Sequence, residues 1–513
     1  MAATVVPTRR DVLKASVAVA GGAVLAGSMG AHAEASERLS GARFTTADAD
    51  LHLLKRATYG PTPTLLEGIR KQGRKAWLDK QLAPGRIDDT DCERLIANRF
   101  PGMEWDITQA RNHLEDFSWD LMYDLGIATI ARAVWSKRQL FEVVCDFWSN
   151  HLNVANPSDN VWDNRHDYDR TVIRRHALGR FEDMLVASAN HPAMLLYLNN
   201  AESTKDNPNE NYGRELLELH TVGVDGGYNE EDMRQSTLVM TGFSVDWQTG
   251  LFEYNNWAHY RGPVQVMGFN AANAEANGYD VGMHYLKYLA NHPSTAQHIA
   301  RKLCLRFVSD DPPQTLVSAL AATYLAHGTD IKPVLRKLFL SDAFAASIGE
   351  KVRRPFEDVV ATLRVLGYKP DNSGVDGMQG LYWITGDLGH APLAWSPPNG
   401  YPDEAAAWQS AGTTLGRWNT HLSLSAHWWP TALVQPPLRK LLPTNLPNTY
   451  GDFVDALSKR LVFRKLGAPQ RQAVLGFLGR SAGERLHSDD EAVHWRLPYV
   501  VALILDSPYH GIR

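Results

Sequence analysis

Across residues 107–154 the apolar side chains recur at the three- and four-residue spacing of a helix, with one interruption near Ser136. A run of that length constrains the fold strongly, because a strand would need strict alternation over a much shorter segment. The same periodicity covers residues 163–177, 181–189 and 209–222, and it returns from 282 to 366. Asn229 followed by Glu230, Glu231 and Asp232 is a capped, acid-first helix start, matched to the helix dipole and reaching about Met240. Residues 243–278 change character: they are rich in Gly, Asn and aromatic residues, and Phe252-Glu253-Tyr254 suits a small β-excursion. Patterning lapses again at residues 367–374 and in the Pro-, Trp- and Gly-rich loop 392–403. The expected fold is mainly α, a multi-helical globular body with a small irregular or β insertion around 243–278.

A chain of 513 residues buries a large core without disulfide or metal staples. The formal net charge is -5 and no long run of Lys or Arg provides a nucleic-acid footprint. Cys92, Cys145 and Cys304 are far apart, and no CxxC or CxxCH spacing exists, which argues against haem-c and iron–sulfur chemistry. Cys145 sits in an apolar helical run and reads as a small buried hydrophobe. Neither a GxSxG elbow nor a P-loop is present, so no nucleotide site is expected.

Thr8-Arg9-Arg10-Asp11-Val12-Leu13-Lys14 reads as a twin-arginine export motif. A weakly apolar Gly/Ala stretch follows to about Gly27, and Ala31-His32-Ala33 offers a small-x-small cleavage site. Residues 1–33 are therefore read as a signal peptide and residues 34–513 as a single, mostly helical domain. The expected destination is the periplasm, cell envelope or exterior, reached through the twin-arginine translocation machinery. No segment is long and apolar enough to span a bilayer.

Two polar segments are candidates for chemistry. In Phe147-Trp148-Ser149-Asn150-His151, the helical wheel puts His151 on a face with Val144, Phe147 and Trp148. Such a histidine is either a hydrogen-bonded core residue or a member of a site. In the segment 209–220, Asn211, Arg214, Glu215 and Glu218 fall within an arc of roughly 100°, and Arg214 and Glu218 are i,i+4 neighbours. Facing solvent, these residues make a salt-bridged surface; facing a cleft, they present two carboxylates beside an arginine, suited to acid–base work or to holding a cation. His220 falls roughly 160° from Glu218 on an ideal helix, and the segment is no HExxH pair. His166, His176, His191, His259 and His390 are scattered, without tight metal-ligand spacing. The loop Ser396-Pro397-Pro398-Asn399-Gly400-Tyr401, with Trp395 and Trp408, reads either as an aromatic platform or as a stiff loop on the core.

These segments, with His52-Leu53-Leu54-Lys55-Arg56-Ala57-Thr58-Tyr59-Gly60-Pro61, His191-Pro192-Ala193-Met194, Gly223-Val224-Asp225-Gly226-Gly227-Tyr228, Arg354-Pro355-Phe356 and Asp506-Ser507-Pro508-Tyr509, resemble the bacterial family known as domain of unknown function 1800. The resemblance covers nearly all of the mature chain. It implies an exported, helix-rich protein, often encoded beside a second exported family similar to alkaline phosphatases and sulfatases. It carries no established activity. It draws attention to His151, Asn209, Glu210, Arg214, Glu215, Glu218 and His220, which fall in the most distinctive motifs. The chain departs from the family pattern at His259-Tyr260, where the family has His-Asp, and at His390, where Gln is common; a metal site needing that Asp would be weakened here.

The expectation is an exported hydrolase or metal-assisted enzyme acting on an envelope or extracellular polymer. His151, Glu215, Glu218 and His220 are its candidate catalytic groups, and Asn209, Glu210, Arg214 and His259 its candidate substrate-binding groups. A divalent metal is the one cofactor compatible with these residues. The alternative is a non-catalytic binding or assembly protein working with an exported phosphatase- or sulfatase-like partner.

Overall fold

The computed structural model describes Phe44 and residues 47–513, so the twin-arginine motif and the cleavage site at Ala33 lie outside the described residues. The described chain is mainly helical, with two small antiparallel sheets. It forms two compact units. One comprises residues 75–344 with 392–403; the other comprises the residues up to Arg74 with 345–391 and 404–513.

In the first unit, helix α1 (Asp120–Trp135) ends where the sequence pattern breaks, because Ser136 is extended. Gln139 then turns its amide back onto the carbonyls of Ala133 and Ser136 at 3.0 and 2.8 Å, satisfying acceptors that a helix end leaves free. Gln139 also opens α2 (Gln139–His151), whose inner face buries Leu140, Val143, Val144, Phe147, Trp148 and His151. Glu142 on this helix is buried, and both terminal nitrogens of Arg174 hold its carboxylate at 2.9 and 2.7 Å. Arg174 closes a π-turn, Asp169–Arg174, that continues the short helix α3 (Arg165–Tyr168).

Helices α4 (Phe181–Ala189) and α5 (Pro192–Tyr197) follow, α5 starting on proline with His191 accepting the Ala193 amide. Helix α6 (Glu210–Glu215) is capped by Asn209 and runs directly into a second π-turn, Leu216–His220. Helix α7 (Glu230–Met240) begins with a reciprocal capping box between Asn229 and Asp232. It packs so closely on α6 that a Cβ on Gly213 would fall 2.4 Å from the Thr237 hydroxyl.

The expected β-excursion is present. β1 (Phe243–Val245) pairs with β2 (Phe252–Tyr254), Phe243 opposite Tyr254, and β3 (Val264–Val266) pairs with β4 (Phe269–Ala271). Helices α8 (Tyr279–Ala290), α9 (Pro293–Phe307) and α10 (Gln314–Ala326) follow, α9 and α10 packing along one another.

The second unit is built on α11 (Pro355–Leu366), α12 (Ala411–Ser425), α13 (Tyr450–Val462) and α14 (Leu497–Leu505). Helix α14 carries no charged residue and packs between α12 and α13 as the core of the unit. Helix α11 stops at Gly367, whose φ of +78° suits glycine, and this accounts for the lapse in periodicity there. Cys92, Cys145 and Cys304 are buried free thiols. Among the described residues, no helix is long and apolar enough to cross a membrane.

Candidate functional site

The end of the α6 π-turn gathers polar residues from α2, α6 and α9. A helix leaves its last carbonyls without partners inside the helix, and here they are met from outside. The Thr221 hydroxyl bonds the Leu216 carbonyl at 2.6 Å, and the Gly223 amide bonds that of Leu217 at 3.1 Å. His298 of α9 meets the Leu219 carbonyl through Nε2 at 3.2 Å, and His151 of α2 meets the His220 carbonyl through Nε2 at 2.9 Å. A carbonyl only accepts, so both imidazoles carry the proton on Nε2. Gly223 has φ +85°, and a Cβ there would lie 2.6 Å from His298 Nδ1, so only glycine fits.

His151 and His220 are each 1% exposed. Burial, then the charge of Lys302, holds the pKa of His151 well below the usual histidine value. The same causes bring His220 down to about 3 and His298 to about 4. All three rings are neutral at pH 7. His151 Nδ1 and His220 Nε2 have no hydrogen-bond partner. The rings of His298 and His220 lie 5.9 and 6.5 Å from that of His151, centre to centre, and their donor atoms do not converge on a point that one ion could fill. The nearby Lys302 further opposes a cation.

Glu215, the last residue of α6, and Glu218, inside the π-turn, occupy a partly exposed face. Burial, reinforced by the charge of Glu218, raises the Glu215 pKa above the ordinary carboxyl value, and Arg214 only partly offsets this. Glu218 has Arg214 at 3.6 Å, and the Tyr228 phenol hydrogen-bonds to it. Arg214 also reaches Glu210 at 3.3 Å and Glu230 at 3.4 Å. Tyr228 is pushed up to about 12, by burial and then by Glu218. Tyr197 of α5 is likewise pushed up to about 12, by burial and then by the charge of Glu215. The Tyr197 phenol therefore stays protonated, and it donates to the Ser396 carbonyl at 2.5 Å.

The loop 395–401 is fastened beside these groups. Asn153 donates to the carbonyls of Trp395 and Pro397, both at 2.8 Å, and Asn150 accepts the Tyr401 amide at 3.0 Å. Gly400 sits against the end of α2 so tightly that a Cβ would come 2.1 Å from the Asn150 carbonyl oxygen.

The structure thus brings together His151, Arg214, Glu215, Glu218 and His220 on and around one helix end. Asn209 serves as the N-cap of α6, and Glu210 is exposed and paired with Arg214. His259 lies in the β-insertion, with its ring nitrogens on the Thr241 carbonyl and the Asn273 side chain, and none of its hydrogen bonds or ring contacts is with α6. The sequence alone does not single out His298, Asn153 or Tyr197, and it offers Tyr228 only as the end of the motif begun at Gly223. The position of Asn153 two residues after His151, and that of Tyr197 at the end of the helix begun by His191-Pro192, are the signals that could have found two of them.

A second polar cluster lies in the other unit. His421 of α12 is held between Asp358 and Asp506 at 2.9 Å on each side. Burial works against its charge, but the two carboxylates overcome that and lift it to about 9. His510 bonds the Thr362 hydroxyl at 3.1 Å and lies 3.6 Å from Asp358. Asp358, His421 and His510 are the one group of three among the described residues close enough to share a metal ion. Both nitrogens of His421 are already committed to carboxylates, so the cluster reads as a salt-bridged strut.

The profile of the family described as protein of unknown function, DUF1800, matches residues 52–510. The chain belongs to this family. The match runs through both compact units and includes every residue named above in either cluster. No curated protein and no solved structure matches this DUF1800 chain.

Proposed function

We propose that this DUF1800 protein is an exported hydrolase that cleaves an envelope or extracellular polymer by general acid–base catalysis at Glu215 and Glu218. The observation that carries this reading is the unequal setting of two carboxylates less than a turn apart. Glu215 is half-buried with its pKa raised, while Glu218 is held by Arg214 and Tyr228. A carboxyl whose pKa is raised, three residues from one held by an arginine and a phenol, can divide with it the labour of a hydrolysis. Glu215 gives its proton to the leaving oxygen as the bond breaks. Glu218 takes a proton from the attacking water, whose oxygen bonds to the centre that is released. One water is added in total, and proton exchange with solvent restores both carboxyls.

The neutral imidazoles of His151 and His298 act through the turn that they hold, as positioning residues. Glu215→Gln and Glu218→Gln keep the shape and remove the proton transfer. Each should lower turnover of the cleaved polymer by at least about a hundredfold while thermal unfolding stays near wild type. Unchanged turnover in both variants would falsify the assignment. Loss of the cellular phenotype with no turnover detectable even in the wild type would favour a binding protein. Export itself rests on Arg9 and Arg10: replacing both by lysine should leave the protein in the cytoplasm, and normal secretion of that variant would remove the twin-arginine route.

A further inference from the structure

The first unit holds a buried arginine that the acid–base reading does not use. Arg165 is fully buried. Its Nε donates to the Val154 carbonyl at 2.8 Å, and its guanidinium lies 5.4 Å from the centre of the Tyr168 ring. Its two terminal nitrogens have no hydrogen-bond partner. The adjacent Asn164 is equally buried, and both ends of its amide are also without partners. The carboxylate whose charge Arg165 feels is that of Asp169, whose nearest ion pair is with Arg132, at 4.0 Å.

A guanidinium removed from water with its fork of N–H groups idle is among the costliest arrangements a protein interior can hold. Its planar geometry matches two oxygens of a carboxylate, sulfate or phosphate. The surroundings say where such a group would sit. The Tyr197 phenol feels the charges of both Arg165 and Glu215, and it hydrogen-bonds with Asn153, the residue before the one Arg165 holds. Arg165 and Glu215 thus both act through their charges on one phenol.

We propose that Arg165 and Asn164 form a buried oxyanion subsite beside Glu215, so that the polymer this protein acts on carries an anionic group: carboxylate, sulfate or phosphate. The placement beside a reacting bond rests on the acid–base reading; the anion site itself does not.

The test uses the full mature chain at constant ionic strength. Its unfolding midpoint is followed while chloride is replaced in turn by acetate, sulfate or phosphate, and the oxyanion that acts identifies the class. Wild type should show a saturable rise with at least one of them. Arg165→Lys, which keeps the charge but loses the fork, should need about tenfold more anion for half the effect. Should that variant fail to fold, wild-type crystals soaked in selenate should show an anomalous peak within about 3 Å of the Arg165 terminal nitrogens. A wild type indifferent to all three anions, as expected if water occupies the spot, overturns the subsite; so does an effect unaltered in Arg165→Lys, or a crystal with no peak there. Anion binding lost in Arg165→Lys together with full activity in Glu215→Gln would sink the acid–base reading and leave the subsite standing.

Discussion

His421 and His151 are both buried imidazoles, yet their surroundings drive them to opposite charge. His421 lies between Asp358 and Asp506, and its pKa rises to about 9. In the unfolded chain it returns to about 6.5, the ordinary histidine value. A group whose folded pKa is raised stabilises fully below its unfolded pKa, and that stability is lost as pH rises through the folded value. The second unit should therefore weaken between about pH 6.5 and 9. His151, His220 and His298 have their pKa values depressed, the latter two to about 3 and about 4, so their sign is reversed. Below pH 6.5 the unfolded chain takes up protons that the folded one refuses, and the first unit should weaken steadily towards pH 4. Hydrogen exchange followed by mass spectrometry separates the two. Peptides of α12 and α14 should lose protection on the alkaline side, and those of α6 and α9 on the acid side. His421→Gln should flatten only the alkaline trend, and identical pH profiles for both sets would contradict the argument.

At the scale of the element, the α6 π-turn is what the sequence could not disclose. Helical periodicity places α1, α2 and α4 and the break at Ser136, because those features follow from which residues are apolar and from one local cap. It also puts Arg214, Glu215 and Glu218 on one face, since they lie within about a turn of one another. Beyond Glu215 the wheel fails. The turn widens because partners remote in sequence meet its carbonyls: His151 lies 69 residues from His220, and His298 lies 79 from Leu219. No local pattern encodes that agreement. His298→Ala leaves the Leu219 carbonyl without its donor and should cost about 1–3 kcal/mol in chemical denaturation. The same change should reduce turnover through the displaced Glu218, whereas a purely structural histidine would lower stability alone. Gly400→Ala tests the other support. Its Cβ would clash with the Asn150 carbonyl, and its φ is +70°, so the loop 395–401 must shift. Activity should fall further than stability, as judged by turnover against the unfolding midpoint. Loss of stability with full activity would mean that the loop is not part of the site.

At the scale of the whole chain, the first unit is discontinuous: residues 75–344 supply its helices, and residues 392–403 return to it much later in the sequence. The returning segment has defined work to do. Its carbonyls at Trp395, Ser396 and Pro397 receive the Asn153 amide and the Tyr197 phenol, and Asp403 lies 3.5 Å from Arg306, which is buried and also faces Asp146 at 3.2 Å. A fragment of residues 75–344 keeps nearly all of the apolar core of the unit but leaves these donors short of acceptors. It should fold with a lowered unfolding midpoint, because each buried donor left unmet costs about 1–3 kcal/mol. A synthetic peptide of residues 392–403 supplied in trans should raise that midpoint saturably, since whatever binds only the folded fragment stabilises it by mass action. The Gly400→Ala peptide should do so much less, because its added methyl meets the end of α2. A fragment as stable as the unit in the intact chain, or one indifferent to the peptide, would show that residues 392–403 only pass by the helices and that the donors on α2 and α5 are met some other way.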